Sequence, residues 1–156
     1  MKPFLISAYQ LLIKIGNSLQ SPFLLVIRLY WGWQFFIDGK GKLTNLNKVI
    51  EYFTSLSVPM PGFNAVLVSI VQMVGGLLLM AGFATRLTTL PLIGIMVMAY
   101  LTAENEALKA IFSDTDKFFA ATPFLFLYAS VIILIFGPGK FSIDHLLKGK
   151  FATDKS

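Results

Sequence analysis

Cysteine is absent from this chain, which excludes disulfides, thiolate nucleophiles, iron–sulfur ligation and cysteine-based zinc sites. Histidine occurs once, as His145 near the C-terminal end, so the chain cannot supply the paired imidazoles that usually hold a membrane haem. Charge is scarce as well. Asp, Glu, Lys and Arg make up 13% of the residues, about half of the roughly 25% found in soluble domains. No phosphate-cradling glycine loop, metal-ligand cluster, Ser/His/Asp set or pair of catalytic carboxylates can be assembled from what remains. No metal site is expected, and the catalytic residues, if any, are not legible.

What the chain has is apolar length. Of its 156 residues 56% are hydrophobic, and 15 are phenylalanine. Four stretches stand out: residues 22–37 (PFLLVIRLYWGWQFFI), 63–83 (FNAVLVSIVQMVGGLLLMAGF), 87–103 (LTTLPLIGIMVMAYLTA) and 122–136 (TPFLFLYASVIILIF). A bilayer core asks for about 20 mainly apolar residues per helix, and about 17 at the least. The second stretch meets this alone; the others meet it once flanking aromatic and short polar residues are counted. The expected fold class is therefore all-α, an integral membrane four-helix bundle with short interfacial amphipathic helices.

The formal net charge of +5 then reflects topology rather than a nucleic-acid partner. With four spans, the N-terminus, the connection between the second and third spans and the C-terminus share one side. That side holds seven basic and two acidic residues, and the opposite side five basic and six acidic. Lys and Arg accumulate on the cytoplasmic side of membrane proteins, so both termini are expected to be cytoplasmic.

Ahead of the first span, residues 3–15 carry Phe4, Leu5, Ala8, Leu12 and Ile15 at helical spacing, with Gln10 and Lys14 off that stripe. The segment is too short to span and has no signal-peptide cleavage pattern, so an interfacial helix is expected. Residues 16–21 should break the chain, with Pro22 in the first turn of span one. Asp38-Gly39-Lys40-Gly41 should end that span. Residues 43–56 read as an amphipathic helix on the outer surface, from Leu43, Leu46, Val49, Ile50, Phe53 and Leu56, and residues 58–62 turn the chain back. Thr85-Arg86 leaves so short a connection that spans two and three must be antiparallel neighbours. Residues 104–117 form a second polar outer segment. Thr122-Pro123 reads as N-cap plus first-turn proline for span four, which Gly137-Pro138-Gly139 stops.

Arg28 is the sharpest residue, because Arg near the centre of a spanning helix costs about 2.5–3.5 kcal/mol on insertion scales. It either pairs with a polar group or snorkels toward the cytoplasmic interface. Gln72 is the expected partner. It shares a stripe with Gly75, Leu79, Gly82 and Arg86, where glycines let another helix approach closely. A contact between spans one and two is thus expected around Arg28, Gly32, Gln72, Gly75 and Gly76, although plain packing around a hydrogen-bonded glutamine would produce the same pattern. Tyr30, Trp31, Trp33, Phe35 and Phe36 form either an interfacial aromatic belt or one wall of a pocket for a flat apolar ligand such as a quinone. Met73, Met80, Met96 and Met98 could line such a pocket or simply fill the core.

Three groups of residues, in order, resemble the DoxX family of small four-helix membrane proteins over roughly residues 23–144. The first is Arg28, Gly32 and Gly39 with Lys42-Leu43. The second is residues 74–79 (VGGLLL) with Gly82 and Thr85-Arg86. The third is residues 137–144 (GPGKFSID), which include Gly137, Pro138, Gly139 and Asp144. One position departs from that pattern: the family often has glutamate where Gln72 stands. Glutamine can hydrogen-bond but cannot move a proton. The resemblance divides the chain into an N-terminal interfacial segment (residues 1–21), a DoxX-like transmembrane domain (22–144) and a basic cytoplasmic tail (145–156).

The resemblance further implies a bacterial cytoplasmic (inner) membrane location and an association with redox systems, since the family is named for a membrane subunit linked to thiosulfate:quinone oxidoreductase. The expected function is an accessory membrane subunit of such a system, with a quinone-sized cavity lined by Arg28, Trp31, Gly32, Phe35, Gln72, Gly75 and Gly76 and electrons supplied by a partner protein. A non-enzymatic scaffold that recruits other proteins is the alternative. Transport of a small anion is a third, weakened by the few polar residues available to line a path.

Overall fold

The computed structural model describes the backbone of residues 2–153 and the side chains of residues 6–148. Among these residues are eight α-helices and no strand: α1 Lys2–Thr44, α2 Leu46–Ser55, α3 Pro61–Ala81, α4 Thr85–Thr102, α5 Asn105–Lys109, α6 Thr115–Ala120, α7 Thr122–Phe136 and α8 Ile143–Thr153, with a 3-10 turn at Ala110–Phe112. The all-helical expectation holds. By length and composition α3 and α4 can cross a membrane, whereas α7, at 15 residues, is apolar but shorter. Helix α1 has length in plenty, but Arg28, Gln34 and two tryptophans dilute its apolar stretch.

The helices pack in pairs: α1 along α3, α3 against α4, α4 along α7, and α7 back against α1. Helical periodicity explains which faces meet. On α1 the buried positions are Leu24, Arg28, Gly32, Phe35 and Gly39. On α3 they are Ala65, Ser69, Gln72, Gly75, Gly76 and Leu79. A methyl group on Gly76 would come within 2.6 Å of the Phe36 amide nitrogen, and one on Gly32 within 2.8 Å of the Gly76 carbonyl. The α1–α3 crossing therefore needs both glycines, as the sequence indicates. Gly75 faces the other way, onto Leu92 of α4.

Polarity runs opposite to that of a soluble domain. The interior holds Arg28, Ser69, Gln72, Thr85, Thr89 and Ser130, together with Phe35, Leu79, Leu92 and Ile133. The exposed positions of the same helices include Leu67, Leu77, Leu90, Val97, Leu125 and Ile135. Buried polar groups inside an apolar exterior are what lipid as solvent selects.

Three boundaries differ from expectation. Residues 16–21 do not break the chain: α1 runs continuously from Lys2 to Thr44, with Pro22 inside it. Proline removes one backbone bond, which a long helix tolerates when both flanks continue to bond. Nor does the run from Asp38 to Gly41 end the helix. Gly39 lies against α3, where a Cβ would be 2.6 Å from the Ser69 carbonyl, so its missing side chain serves packing rather than termination. Finally, Ala121 holds the N-cap position of α7, and Thr122 and Pro123 are its first two residues.

At the end of the molecule away from Arg28, α2 lays half-buried Leu46, Val49, Ile50 and Phe53 against α3. The 104–117 segment forms α5 and the 3-10 turn and leads into α6, where Tyr100 stacks on Phe118 at 4.9 Å and donates to its carbonyl at 2.9 Å. The expected tail falls largely within α8; the side chains of Lys150, Asp154 and Lys155, like that of Lys2, lie outside the described residues.

Candidate functional site

A helix leaves its last carbonyls without partners of their own, and α3 ends beside Arg28. The guanidinium is 1% exposed. Its Nε donates to the Leu79 carbonyl at 3.0 Å and Nη2 to that of Met80 at 3.1 Å. Its Nη1 donates to the Phe141 carbonyl at 3.0 Å and to that of Pro138. Four of the five N–H donors of an arginine are thus consumed by main-chain oxygens. Arg28 does find company on the neighbouring helix, but not from Gln72, and it does not snorkel into water. The pairing expected from the sequence is corrected here, because the open end of α3 supplies more acceptors than one carboxamide. Gly82 is required twice over: its φ is +69°, and a side chain there would run into the guanidinium and the Ser142 Cβ.

The 137–144 segment closes over this point and holds the start of α4. Ala84, at the N-cap of α4, has no side chain that could accept a bond. Asp144 supplies the cap from sixty positions away. Its Oδ1 accepts from the Ala84 amide at 2.7 Å and its Oδ2 from the Thr85 amide at 2.8 Å, while its own amide donates to the Gly82 carbonyl at 2.9 Å. Burial alone would raise the carboxyl pKa. The bonds from Thr85 and Ala84 and the nearby Arg28 charge outweigh burial and hold it below its ordinary value. The Thr85 hydroxyl adds to that attraction, although it is buried without a well-formed hydrogen bond. Arg86 treats α7 as Arg28 treats α3: its Nη2 donates to the Ile135 carbonyl at 3.2 Å, beside Gly137. The DoxX-like positions Arg28, Gly82, Arg86, Gly137, Pro138, Gly139 and Asp144 thus converge on one set of helix ends.

Gln72 belongs to a second cluster, more than a turn further along α3. It is fully buried. Its Oε1 accepts from Lys42 Nζ at 2.7 Å, and Lys42 also pairs with Asp38, one turn earlier on α1. The lysine fixes the orientation of the carboxamide, since turning it over would set N–H against ammonium. Gln72 Nε2 is left buried with no acceptor. Leaving such a donor unpaired costs about 1–3 kcal/mol, and a carbonyl-bearing ligand would remove that penalty. Gly39 completes the contact between this stretch of α1 and α3.

The aromatic wall expected from α1 is occupied from within. Phe35 is fully buried and meets Phe126 of α7 edge-on at 4.7 Å, and Trp31 meets the same ring at 5.0 Å. Of the residues expected around a ligand, Gly32 and Gly76 form the helix crossing, Gly75 packs on α4, and Gln72 is the one that leaves a fully buried side-chain atom unpaired. Sequence reasoning missed the capping role of Asp144 and the Lys42–Gln72 bond. The spacing of Asp38 and Lys42 was a usable signal for the second; the first joins positions with no local pattern between them.

Comparison with known proteins gives a consistent picture. The DoxX family model matches residues 23–105. The chain is 30% identical over 136 residues to the inner membrane protein YqjF of Escherichia coli (strain K12), covering 86% of this chain and 99% of that one. It is 28% identical over 127 residues to CatD of Bacillus subtilis (strain 168), provisionally named an oxidoreductase, covering 81% and 88%. A membrane protein of Mycobacterium tuberculosis, Rv3486, is 29% identical over 133 residues, covering 81% and 82%. No solved structure matches.

Proposed function

The chain belongs to the DoxX family of membrane proteins, and on that premise we propose that it is an accessory membrane subunit of a redox system. In this reading α1, α3, α4 and α7 form a four-helix bundle across the bacterial cytoplasmic membrane, with both termini cytoplasmic. The bundle holds a quinone, or a flat apolar compound with a similar carbonyl, against Gln72. Electrons reach that ligand from a partner protein, since a chain with no cysteine and one histidine has few groups to hold a metal relay.

The observation that carries this reading is the unpartnered Gln72 Nε2, buried beside Lys42 and Asp38. A ligand carbonyl would accept from it, and the apolar faces of α1 and α3 would cover the ring. Arg28 is set aside as a ligand contact, because four of its five donors are already spent on main-chain carbonyls. The redox association is supported by the resemblance to CatD, whose provisional name is that of an oxidoreductase.

The test is binding of menaquinone or ubiquinone to protein purified in mild detergent, with mass spectrometry of the small molecules that co-purify. Replacing Gln72 by Leu should weaken quinone binding about 2- to 10-fold, the worth of one hydrogen bond, while leaving the folded protein intact. Absence of any bound quinone, or equal affinity in Gln72→Leu, would overturn the reading. A scaffold role is the second reading, favoured by Phe112, which is 96% exposed in the loop between α5 and α6. Recovery of one constant partner that is lost in Phe112→Ser, with no quinone bound, would select it.

A further inference from the structure

Helix α1 has 43 residues and a length of about 64 Å at a 1.5 Å rise, roughly twice the ~30 Å hydrocarbon core of a bilayer. Its packing begins only near Ser21 and Leu24. Every residue from 6 to 20 is exposed, so this half of the helix is left uncovered by the rest of the described chain. Its surface is nevertheless mostly apolar: Tyr9, Leu11, Leu12, Ile13, Ile15 and Leu19 are each at least 45% exposed.

Five of the seven Ser, Asn, Gln and Lys residues between positions 7 and 21 follow a single line. Ser7, Gln10, Lys14, Asn17 and Ser21 alternate spacings of three and four, which places them along one face of a helix. Ser18 borders this line and Gln20 lies off it, and apolar residues cover most of the remaining arc. A two-stranded coiled coil buries only a narrow seam, whereas a wide apolar arc behind a narrow polar stripe suits a helix lying in the membrane interface. Charge points the same way. No Asp or Glu precedes Asp38, and the only charged residues before it are Lys2, Lys14 and Arg28. A second copy of this segment offers a lysine no acidic complement; anionic lipid headgroups do.

The backbone at the junction is built to bend. Pro22 cannot donate to the Ser18 carbonyl, Ser18 Oγ bonds back to the Lys14 carbonyl at 2.8 Å, a pattern that often bends helices, and a side chain on Gly16 would meet nothing within 4 Å. We propose that residues 2–20 form a hinged arm that lies in the anionic surface of the membrane, its apolar arc among the acyl chains and Lys14 at the headgroups. This rests on the membrane-spanning reading above and is independent of quinone binding.

The cysteine-free chain permits a direct test on the full-length protein. Single substitutions Leu12→Cys, Ile15→Cys, Gln10→Cys and Asn17→Cys, with Leu125→Cys on α7 as the spanning reference, are spin-labelled in vesicles containing phosphatidylglycerol. Positions 12, 15 and 125 should be reached by oxygen several-fold more readily than by an aqueous nickel chelate, and positions 10 and 17 the reverse. That contrast should shrink in purely zwitterionic vesicles, in Lys14→Glu, and when Gly16→Ala and Pro22→Ala straighten the arm. Chelate access at all four arm positions with position 125 still in lipid would overturn the arm alone. Shielding of positions 12 and 15 from both reagents would point to a protein partner and also overturn it. Chelate access at position 125 would instead overturn the spanning reading.

Discussion

Arg28 and Asp144 act on the same problem with opposite charge, the one satisfying carbonyls at the end of α3 and the other satisfying amides at the start of α4. Arg28→Met would leave the carbonyls of Met80, Pro138 and Phe141 without their donor in a dry interior. It should lower stability by about 3–5 kcal/mol, read as loss of monodisperse protein in detergent. Arg28→Lys should fall between, since one ammonium cannot reproduce a planar fork. Asp144→Asn keeps one acceptor oxygen and should cost about 1 kcal/mol. The pH dependence distinguishes charge from shape. The folded carboxyl titrates below its ordinary value of 3.8, so the unfolded chain takes up the proton first. The stabilisation is complete at neutral pH and lost as pH falls through 3.8 and below. A denaturation series should show this acid limb in the parent protein and a flatter one in Asp144→Asn.

Among the elements, the α1–α3 crossing makes the sharpest demand on side-chain size. Gly76→Ala sets a methyl against the Phe36 backbone and should cost about 1–3 kcal/mol. Gly94→Ala on α4, where nothing lies within 4 Å, should be neutral or mildly stabilising; thermal denaturation of the pair in one detergent checks both. That crossing was legible in part, because the sequence placed Gly32, Gly75 and Gly76 at a contact between these helices, whereas Gly75, the glycine put on the Gln72 stripe, packs on α4 instead. The course of α1 was not. Pro22, Gly39 and Gly41 carry strong local signals for a helix boundary, yet tertiary packing claims Gly39 for close approach and the helix continues on either side of Pro22. Arg28 was legible as a residue that either pairs or snorkels, while its actual partners were not, since carbonyls from residues 138 and 141 leave no mark in side-chain composition. The Lys42–Gln72 bond joins two helices thirty positions apart, and the i,i+4 spacing of Asp38 and Lys42 was its only mark in the sequence.

Across the molecule, polar groups gather inside and apolar ones outside, and that inversion ties the fold to a lipid surrounding. The proposed orientation, with both termini cytoplasmic, is read from the distribution of lysine and arginine. Phe112→Cys, in the loop between α5 and α6, should react with a membrane-impermeant maleimide in intact cells, and His145→Cys, at α8, only after permeabilisation. The opposite result would invert the orientation. The latch formed by residues 137–144 also bears on biosynthesis. The oxygen of Phe141 that receives the Arg28 guanidinium lies 113 positions downstream, so in the proposed spanning arrangement the first helix would enter the bilayer during translation with part of that charge unanswered. Until residues 137–144 have left the ribosome, α4 lacks its Asp144 cap and α3 a complete terminus. The nascent protein therefore stays open at this end, exposed to insertases and quality-control proteases, and shuts only as that latch emerges.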